Sequence, residues 1–243
     1  MRQWPARVAW LTGVLLVLGG GIVIGVAISA QQHAPQPSPA AAGSIGPSRS
    51  PGISAGARPA ARANGPSLPR SEPVSIDIPA IGVRSRLLYV GLNPDGTIQV
   101  PPLFAKPSEA AWYKYSVTPG QIGASVIEGH VDTYRGPSVF FRLGALRPGD
   151  TVDITLADGT VATFRVTGVR QYLKTQFPTK MVYGPTDYAA LRLMTCGGAF
   201  DDSTRQYLSN TIVFASLVSA RTAAGSPGPA TAARAGGGSR PEP

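Results

Sequence analysis

The feature that most limits how this chain can fold is a series of short apolar segments between residues 73 and 220, separated by Pro and Gly turns. Residues 74–78 alternate apolar and polar side chains, and residues 151–156 and 160–169 flank Asp158-Gly159, a strong hairpin signal. Further strand candidates are residues 84–90, 97–100, 124–130, 191–195 and 211–218. Helical patterns are few, at residues 107–113, 139–143 and 185–190. Short strands with many turns favour an all-β fold, as a closed or nearly closed barrel.

Composition separates this segment from its flanks. Of the 24 prolines in the 243 residues, 13 lie outside residues 73–220. The formal net charge is +9, but 13 Lys and Arg against 11 Asp and Glu leave only +2 within residues 73–220. A nucleic-acid-binding domain would carry its positive charge on the folded part. We therefore expect no nucleic-acid partner.

The N-terminus contains a run of 21 uncharged residues at 8–28. As a helix it would span about 32 Å, enough to cross a hydrocarbon core of about 30 Å. Arg2 and Arg7 precede it, which predicts that residues 1–7 are cytoplasmic and that the rest of the chain is extracellular. The sequence thus predicts a single-pass membrane anchor. The alternative is a cleaved signal peptide, since Ala27 and Ser29 offer small residues for a cleavage site.

Two low-complexity segments flank the folded part. Residues 29–72 hold eight prolines and, like residues 221–243, show no apolar periodicity. Such segments cannot bury enough surface to offset the entropy lost on ordering, so we expect a disordered linker and a disordered tail. His33 lies in the linker and is expected to be inert.

Reactive side chains are scarce. Cys196 is the only cysteine, and His33 and His130 are the only histidines. One cysteine excludes an intrachain disulfide and a multi-cysteine zinc site, and two histidines argue against a histidine-rich metal centre. We expect neither a metal nor another cofactor.

Cys196 and His130 occupy similar places in the predicted fold. Each follows an apolar strand, Cys196 just before Gly197-Gly198 and His130 just after Gly129. The ends of two barrel strands can meet on one rim, and glycine N–H groups can form an oxyanion hole. From the residues alone, the alternatives remain a buried apolar cysteine and a structural histidine.

Several separated motifs resemble the sortase transpeptidases, most closely the actinobacterial class F sortases. The matching segments are Ile-Pro-Ala-Ile-Gly-Val at 78–83, Gly-His-Val-Asp at 129–132, Val-Phe-Phe-Arg-Leu at 139–143, Leu-Arg-Pro-Gly-Asp at 146–150, Val-Tyr-Gly-Pro-Thr-Asp at 182–187 and Thr-Cys-Gly-Gly at 195–198. The resemblance covers residues 74–218. It implies an all-β domain at 73–220 with a few short helices, built as a closed eight-stranded barrel and preceded by one transmembrane helix.

The resemblance also implies an activity. Cys196 would attack the Thr–Gly carbonyl of an LPXTG-like sorting signal and form an acyl-thioester. His130 would protonate the departing amine and then deprotonate the acceptor, which is an amine of a peptidoglycan precursor or water. The implied partners are surface proteins that carry the signal, and the chain is expected to be monomeric. No acidic loop matches the calcium site of some sortases, so no metal is implied.

The third site residue departs from the family pattern. Better-known sortases have an arginine where the last strand opens, and this chain has Asn210 there. Arg205, in the loop just before, is therefore the candidate third catalytic residue. The alternative is a solvated Arg205 paired with Asp201 or Asp202, which would leave Asn210 as a neutral oxyanion donor. The resemblance assigns Thr195 to the substrate groove, and Gly197 and Asn210 are the further substrate-binding candidates.

Two other functions remain open at this point. One is a different wall-directed cysteine peptidase or an L,D-transpeptidase. The other is a non-catalytic, membrane-tethered binding module, for which the Cys196 thiol would be unreactive.

Overall fold

The computed structural model describes residues 33–47, 65–102 and 109–222. Within these ranges the chain forms ten strands and one short α-helix. The strands are β1 (Pro73–Ile78), β2 (Val83–Val90), β3 (Ala110–Tyr113), β4 (Gly123–Glu128), β5 (Asp132–Thr133), β6 (Gly136–Pro137), β7 (Thr151–Leu156), β8 (Thr160–Leu173), β9 (Ala189–Asp201) and β10 (Gln206–Thr222). The helix is α1 (Thr179–Tyr183), and short 3-10 turns lie at Pro39–Ala42, Pro79–Ile81, Leu143–Ala145 and Lys174–Gln176.

Eight of the strands close into a barrel in the order β1-β2-β3-β4-β9-β10-β8-β7. Most neighbours are antiparallel, whereas β2–β3 and β4–β9 are parallel pairs. The small ribbon β5–β6 stands apart from the barrel sheet. The predicted closed, eight-stranded, all-β barrel is confirmed.

The predicted hairpin at Asp158-Gly159 joins β7 to β8. The Asp158 carboxylate accepts a hydrogen bond from the Thr160 N–H at 2.8 Å, and Gly159 has a φ of +81°. An Asp-Gly pair suits this turn because glycine adopts a positive φ at little cost.

Some local predictions were wrong. Residues 110–113 of the predicted helix at 107–113 form β3, because pairing with β2 and β4 and the burial of Trp112 outweigh the helix propensity of Ala-Ala. The pattern at 139–143 gives only the 3-10 turn Leu143–Ala145, and α1 was not predicted. Residues 97–100 make a single bridge, Leu92 to Ile98, instead of a strand.

The barrel core is formed by alternate residues of the strands. Its fully buried members include Phe164 on β8, Leu191 and Leu193 on β9, and Val213 on β10. The intervening residues of β9 and β10 face outward, and there Ile212 and Phe214 pack with Val182 of α1. Because side chains alternate along a strand, Cys196 shares this outer face with Met194 rather than pointing into the core.

Residues 33–47 belong to the segment that we expected to be a disordered linker, and the structure packs them against β8. Ala41 is fully buried in the barrel's main apolar cluster. The Ser44 N–H donates to the Thr167 carbonyl at 2.9 Å, and Arg170 Nε donates to the Ala42 carbonyl at 3.1 Å. Ala41, the partly buried Ile45 and a few hydrogen bonds to backbone groups hold this segment, so the sequence shows no apolar periodicity there.

In the part of the chain that the structure describes, no helix has the length and apolarity needed to cross a membrane. The anchor predicted at residues 8–28 lies outside the described residues, as does the predicted tail beyond Thr222.

Candidate active site

The register between β4 and β9 brings His130 and Cys196 together. The two strands are parallel and pair from Gly123–Ala189 to Glu128–Met194, an offset of 189 − 123 = 66 residues. The Gly129 N–H continues this pairing by donating to the Met194 carbonyl at 3.1 Å. Cys196 and His130 have the same offset, 196 − 130 = 66. His130 therefore follows β4, and Cys196 continues β9, at the same end of the barrel, where neighbouring strands lie about 4.8 Å apart.

Both residues line one cavity of about 530 Å³. Phe177, Tyr183 and Met194 are among the apolar and aromatic side chains that line it. The other polar residues that line it are Thr97, Glu128, Lys174, Thr195 and Asn210. An apolar cleft with a few convergent polar groups is the usual form of a site for an extended ligand.

Cys196 lies half-buried on this wall with a protonated thiol. Burial raises the pKa of the thiol above its ordinary value, and the Glu128 and Asp132 carboxyls raise it further, whereas the Lys174 ammonium lowers it. At neutral pH the thiol therefore keeps its proton. Attack on a carbonyl then needs a base beside it.

His130 can supply that base. Its Nε2 lies 2.7 Å from the Pro101 carbonyl oxygen, which can only accept, so Nε2 carries a proton. Nδ1 is then the proton-accepting nitrogen. The backbone is fixed as well, since the Phe140 N–H donates to the His130 carbonyl at 3.0 Å.

Asn210 lies beside the thiol. It pairs with Cys196 across β9 and β10, and residues directly opposite in an antiparallel pair project from the same face with Cβ atoms about 5 Å apart. Thr195 pairs with Thr211 instead, and its buried Oγ1 has no hydrogen-bond partner among the described residues. Both Asn210 and Thr195 line the cavity, and their role in substrate binding stays a prediction.

The glycine pair after Cys196 fits tightly between strands. A Cβ on Gly197 would lie 2.6 Å from Thr211 Oγ1, and one on Gly198 would lie 2.7 Å from Ser209 Oγ. Gly198 also has a φ of +77°, a conformation that other residues rarely adopt. Packing against β10 is therefore a sufficient reason for both glycines, and Gly197 is not among the described residues that line the cavity.

Arg205 lies at the tip of the β9–β10 hairpin. Its guanidinium carbon is 5.8 Å from the centre of the Phe200 ring, and its φ is +57°. The Asp201 carboxylate is engaged by the Ser203 N–H and by the Thr204 hydroxyl. Five strand residues, about 16 Å, separate Cys196 from the start of this turn. The structure therefore does not bring Arg205 into the cavity with Cys196, His130 and Asn210.

Two charged residues that line the cavity, Glu128 and Lys174, were not predicted from the sequence as site residues. Glu128, which is 7% exposed, has its pKa raised to about 8 by burial, and its Oε1 has no described hydrogen-bond partner. The sequence signal that could have identified Glu128 was a carboxyl group in an otherwise apolar strand, two residues before His130. Lys174, in the turn after β8, gave no signal because β10 separates β8 from β9 in the sheet.

A hydrogen bond links the two sides of the site. The Tyr207 hydroxyl on β10 donates to the Asp132 carboxylate, two residues after His130. The Tyr207 ring also packs edge-on against Phe200, with centres 5.1 Å apart. The hairpin that follows Cys196 is thereby connected to the loop that follows His130.

Across residues 33–47, 65–102 and 109–222, no three His, Cys, Asp or Glu side chains form a group that could hold a metal ion.

The family model described as the sortase domain matches residues 76–218, which include the whole barrel except the ends of its first and last strands. The chain belongs to the sortase family. Sortases are cysteine transpeptidases that act on proteins carrying sorting signals, and this general class applies to the chain.

Solved sortase structures resemble this one in fold. Sortase A from Listeria monocytogenes is 17% identical with a TM-score of 0.45, over 61% of this chain and 88% of that one. A lid mutant of sortase A from Corynebacterium diphtheriae is 20% identical with a TM-score of 0.47, over 63% and 73%. A sortase from Actinomyces oris is 22% identical with a TM-score of 0.45, over 66% and 89%. No curated protein matches this chain in sequence.

Proposed function

We propose that this sortase cleaves an LPXTG-like sorting signal between Thr and Gly and transfers the released protein to a cell-wall amine, or to water. The observation that supports the proposal is that His130 and Cys196 follow the paired part of β4 and β9 with the same 66-residue offset and line one cavity. Burial keeps the thiol protonated, and the imidazole beside it is the group that can take the proton.

Acylation proceeds through the cysteine. His130 Nδ1 takes the thiol proton, and the Cys196 sulfur forms a bond to the carbonyl carbon of the signal's Thr. His130 then returns the proton to the nitrogen of Gly as the C–N bond breaks. The product is an acyl-thioester on Cys196, and the C-terminal fragment leaves as an amine.

Deacylation reverses the proton movement. His130 accepts a proton from the acceptor amine or water, whose nitrogen or oxygen attacks the thioester carbon. The C–S bond breaks and the thiolate recovers its proton. Thr195 and the apolar wall of Phe177, Tyr183 and Met194 contribute to the groove that orients the extended peptide.

Asn210 is the better placed donor for the oxyanion, because it lies opposite Cys196 and lines the cavity. The catalytic role of Arg205 stays a prediction, since its guanidinium would reach the carbonyl oxygen only if the β9–β10 hairpin folded over the cavity.

Asn210→Ala is expected to lower the acylation rate by about 10²-fold, the loss typical of one oxyanion donor. Arg205→Ala is the matched comparison, with a much smaller expected effect. The opposite ranking in a single-turnover assay would return the role to Arg205.

We further propose a class F sortase of a Gram-positive actinobacterium, anchored as a monomer by residues 8–28 with its barrel outside the cell. The run of 21 uncharged residues and the two preceding arginines support the orientation. The motifs at 129–132 and 195–198 support the class. The partners are then surface proteins with sorting signals and the amine of a peptidoglycan precursor.

Incubation of the protein with a labelled LPXTG peptide, followed by mass spectrometry of the intact chain, tests the activity. We expect an acyl adduct on Cys196 that hydroxylamine releases. Cys196→Ala should carry no adduct. A reactive thiol that forms no adduct with this peptide would favour another cysteine peptidase or an L,D-transpeptidase. An unreactive thiol would favour a binding module.

A further inference from the structure

The cavity holds one carboxyl group that the proposed cleavage does not use. Glu128 ends β4, is 7% exposed, and its Oε1 has no hydrogen-bond partner among the described residues. Buried polar oxygens in native proteins are nearly always hydrogen-bonded. An unpartnered oxygen on a cavity wall therefore indicates a partner that arrives with a ligand.

Glu128 lies one step along the groove from the reacting pair. The register pairs Glu128 with Met194. His130 comes two residues after Glu128 and Cys196 two residues after Met194, a distance of about 7 Å along each strand. The carboxyl also helps to raise the pKa of the Tyr183 phenol, so it lies close to that wall of the cavity. Glu128 is the only acidic residue among the described residues that line this cavity.

We propose that Glu128 binds the ammonium group of the amine that receives the acyl chain from Cys196. This inference rests on the proposed function, which requires an amine acceptor. An alkyl amine is protonated at neutral pH, since lysine side chains titrate near pH ~10.4. A carboxylate is the side chain that pairs with an ammonium through charge-assisted hydrogen bonds. The Glu128 carboxylate would hold the ammonium of the acceptor beside the thioester.

The protons balance with the residues present. In the free site at neutral pH Glu128 carries a proton, which it releases to solvent as the ammonium binds. The ammonium then gives one proton to the Glu128 carboxylate, and the neutral amine forms the C–N bond as the C–S bond breaks. His130 takes the second proton from the nitrogen, and Cys196 leaves as the thiolate.

The test compares two acceptors for the same acyl-enzyme. The full-length protein and its Glu128→Gln variant are acylated with a labelled LPXTG peptide, and the products are separated by chromatography. One acceptor is Nα-acetyl-lysine amide, whose amine is an ammonium, and the other is hydroxylamine, which is uncharged at neutral pH. The measured quantity is the ratio of aminolysis to hydrolysis, which does not depend on the acylation rate.

In Glu128→Gln the ratio for the lysine amide should fall by at least about 10-fold, the effect of losing one charged hydrogen bond. The ratio for hydroxylamine should change much less. Glu128→Asp, which keeps a carboxyl group, should retain more of the lysine-amide ratio than Glu128→Gln does. Asp158→Asn, at the exposed β7–β8 turn, is the control acid and should leave both ratios unchanged.

An unchanged lysine-amide ratio in Glu128→Gln, with a normal thioester on Cys196, would overturn this inference alone. Equal falls for both acceptors would overturn it as well, because they would show a general disturbance of the site. Absence of the thioester in the unmodified protein would overturn the proposed function, and this inference with it.

Discussion

At the scale of single residues, the proposed site combines a protonated thiol with an imidazole that lines the same cavity. Burial and the carboxyls of Glu128 and Asp132 raise the pKa of Cys196, and only Lys174 opposes them. The sequence identified Cys196 and His130 because each is the only residue of its kind in the domain and each follows an apolar strand. It did not identify Lys174 or the position of Arg205, since a side chain's reach within a turn depends on contacts that no local pattern encodes.

The Lys174 ammonium is expected to increase the reactivity of the thiol. Lys174→Met should raise the thiol pKa further and slow alkylation of Cys196 by iodoacetamide at pH 8.5. Because Lys174 is exposed, the effect should be modest, about 1.5- to 5-fold, and high salt should reduce it. Lys180→Met, on an exposed position of α1, is the matched control. Equal alkylation rates in all three proteins would remove Lys174 from the electrostatics of the site.

At the scale of strands, the parallel β4–β9 pair and the antiparallel β9–β10 pair set the site. The sequence predicted all three strands and the Asp158-Gly159 hairpin, because apolar runs and turn residues are local signals. It could not predict the register, which depends on pairing between residues 66 positions apart. It also failed at β3, where sheet pairing outweighs the helix propensity of two alanines.

The tight fit of the glycine pair between β9 and β10 gives a prediction at this scale. Gly198→Ala forces both a positive φ and a contact of 2.7 Å with Ser209 Oγ. Gly159→Ala forces a positive φ alone, since nothing lies within 4 Å of its added Cβ. We expect Gly198→Ala to lower the free energy of unfolding by at least about 1 kcal/mol more than Gly159→Ala in urea titrations. Equal losses would mean that the strands adjust to the extra methyl group.

At the scale of the whole molecule, the barrel could be predicted from the turns and the strand spacing, but the packing of residues 33–47 could not. These residues have the composition of a linker and yet bury Ala41 completely. A segment held by Ala41, Ile45 and a few hydrogen bonds carries no periodic signal, so composition alone predicts disorder.

The packing of this segment should contribute to the stability of the barrel. Ala41→Asp places an unpaired charge in the core cluster and should lower the free energy of unfolding by about 2–4 kcal/mol. Ala40→Asp, at the neighbouring exposed position, should have little effect. Chemical denaturation of the full-length proteins measures both. Similar stability in the two variants would show that residues 33–47 do not hold this place in solution.

The central claim is that Cys196 and His130 act as one unit. The most direct test compares the initial rate of LPXTG-peptide cleavage in the wild type, both single variants and the double variant. Cys196→Ala should abolish cleavage, and His130→Ala should lower the rate by at least about 10²-fold. The double variant should be no worse than Cys196→Ala, because residues that act together are not additive. Near-normal cleavage by His130→Ala, or by Cys196→Ala, would contradict the account.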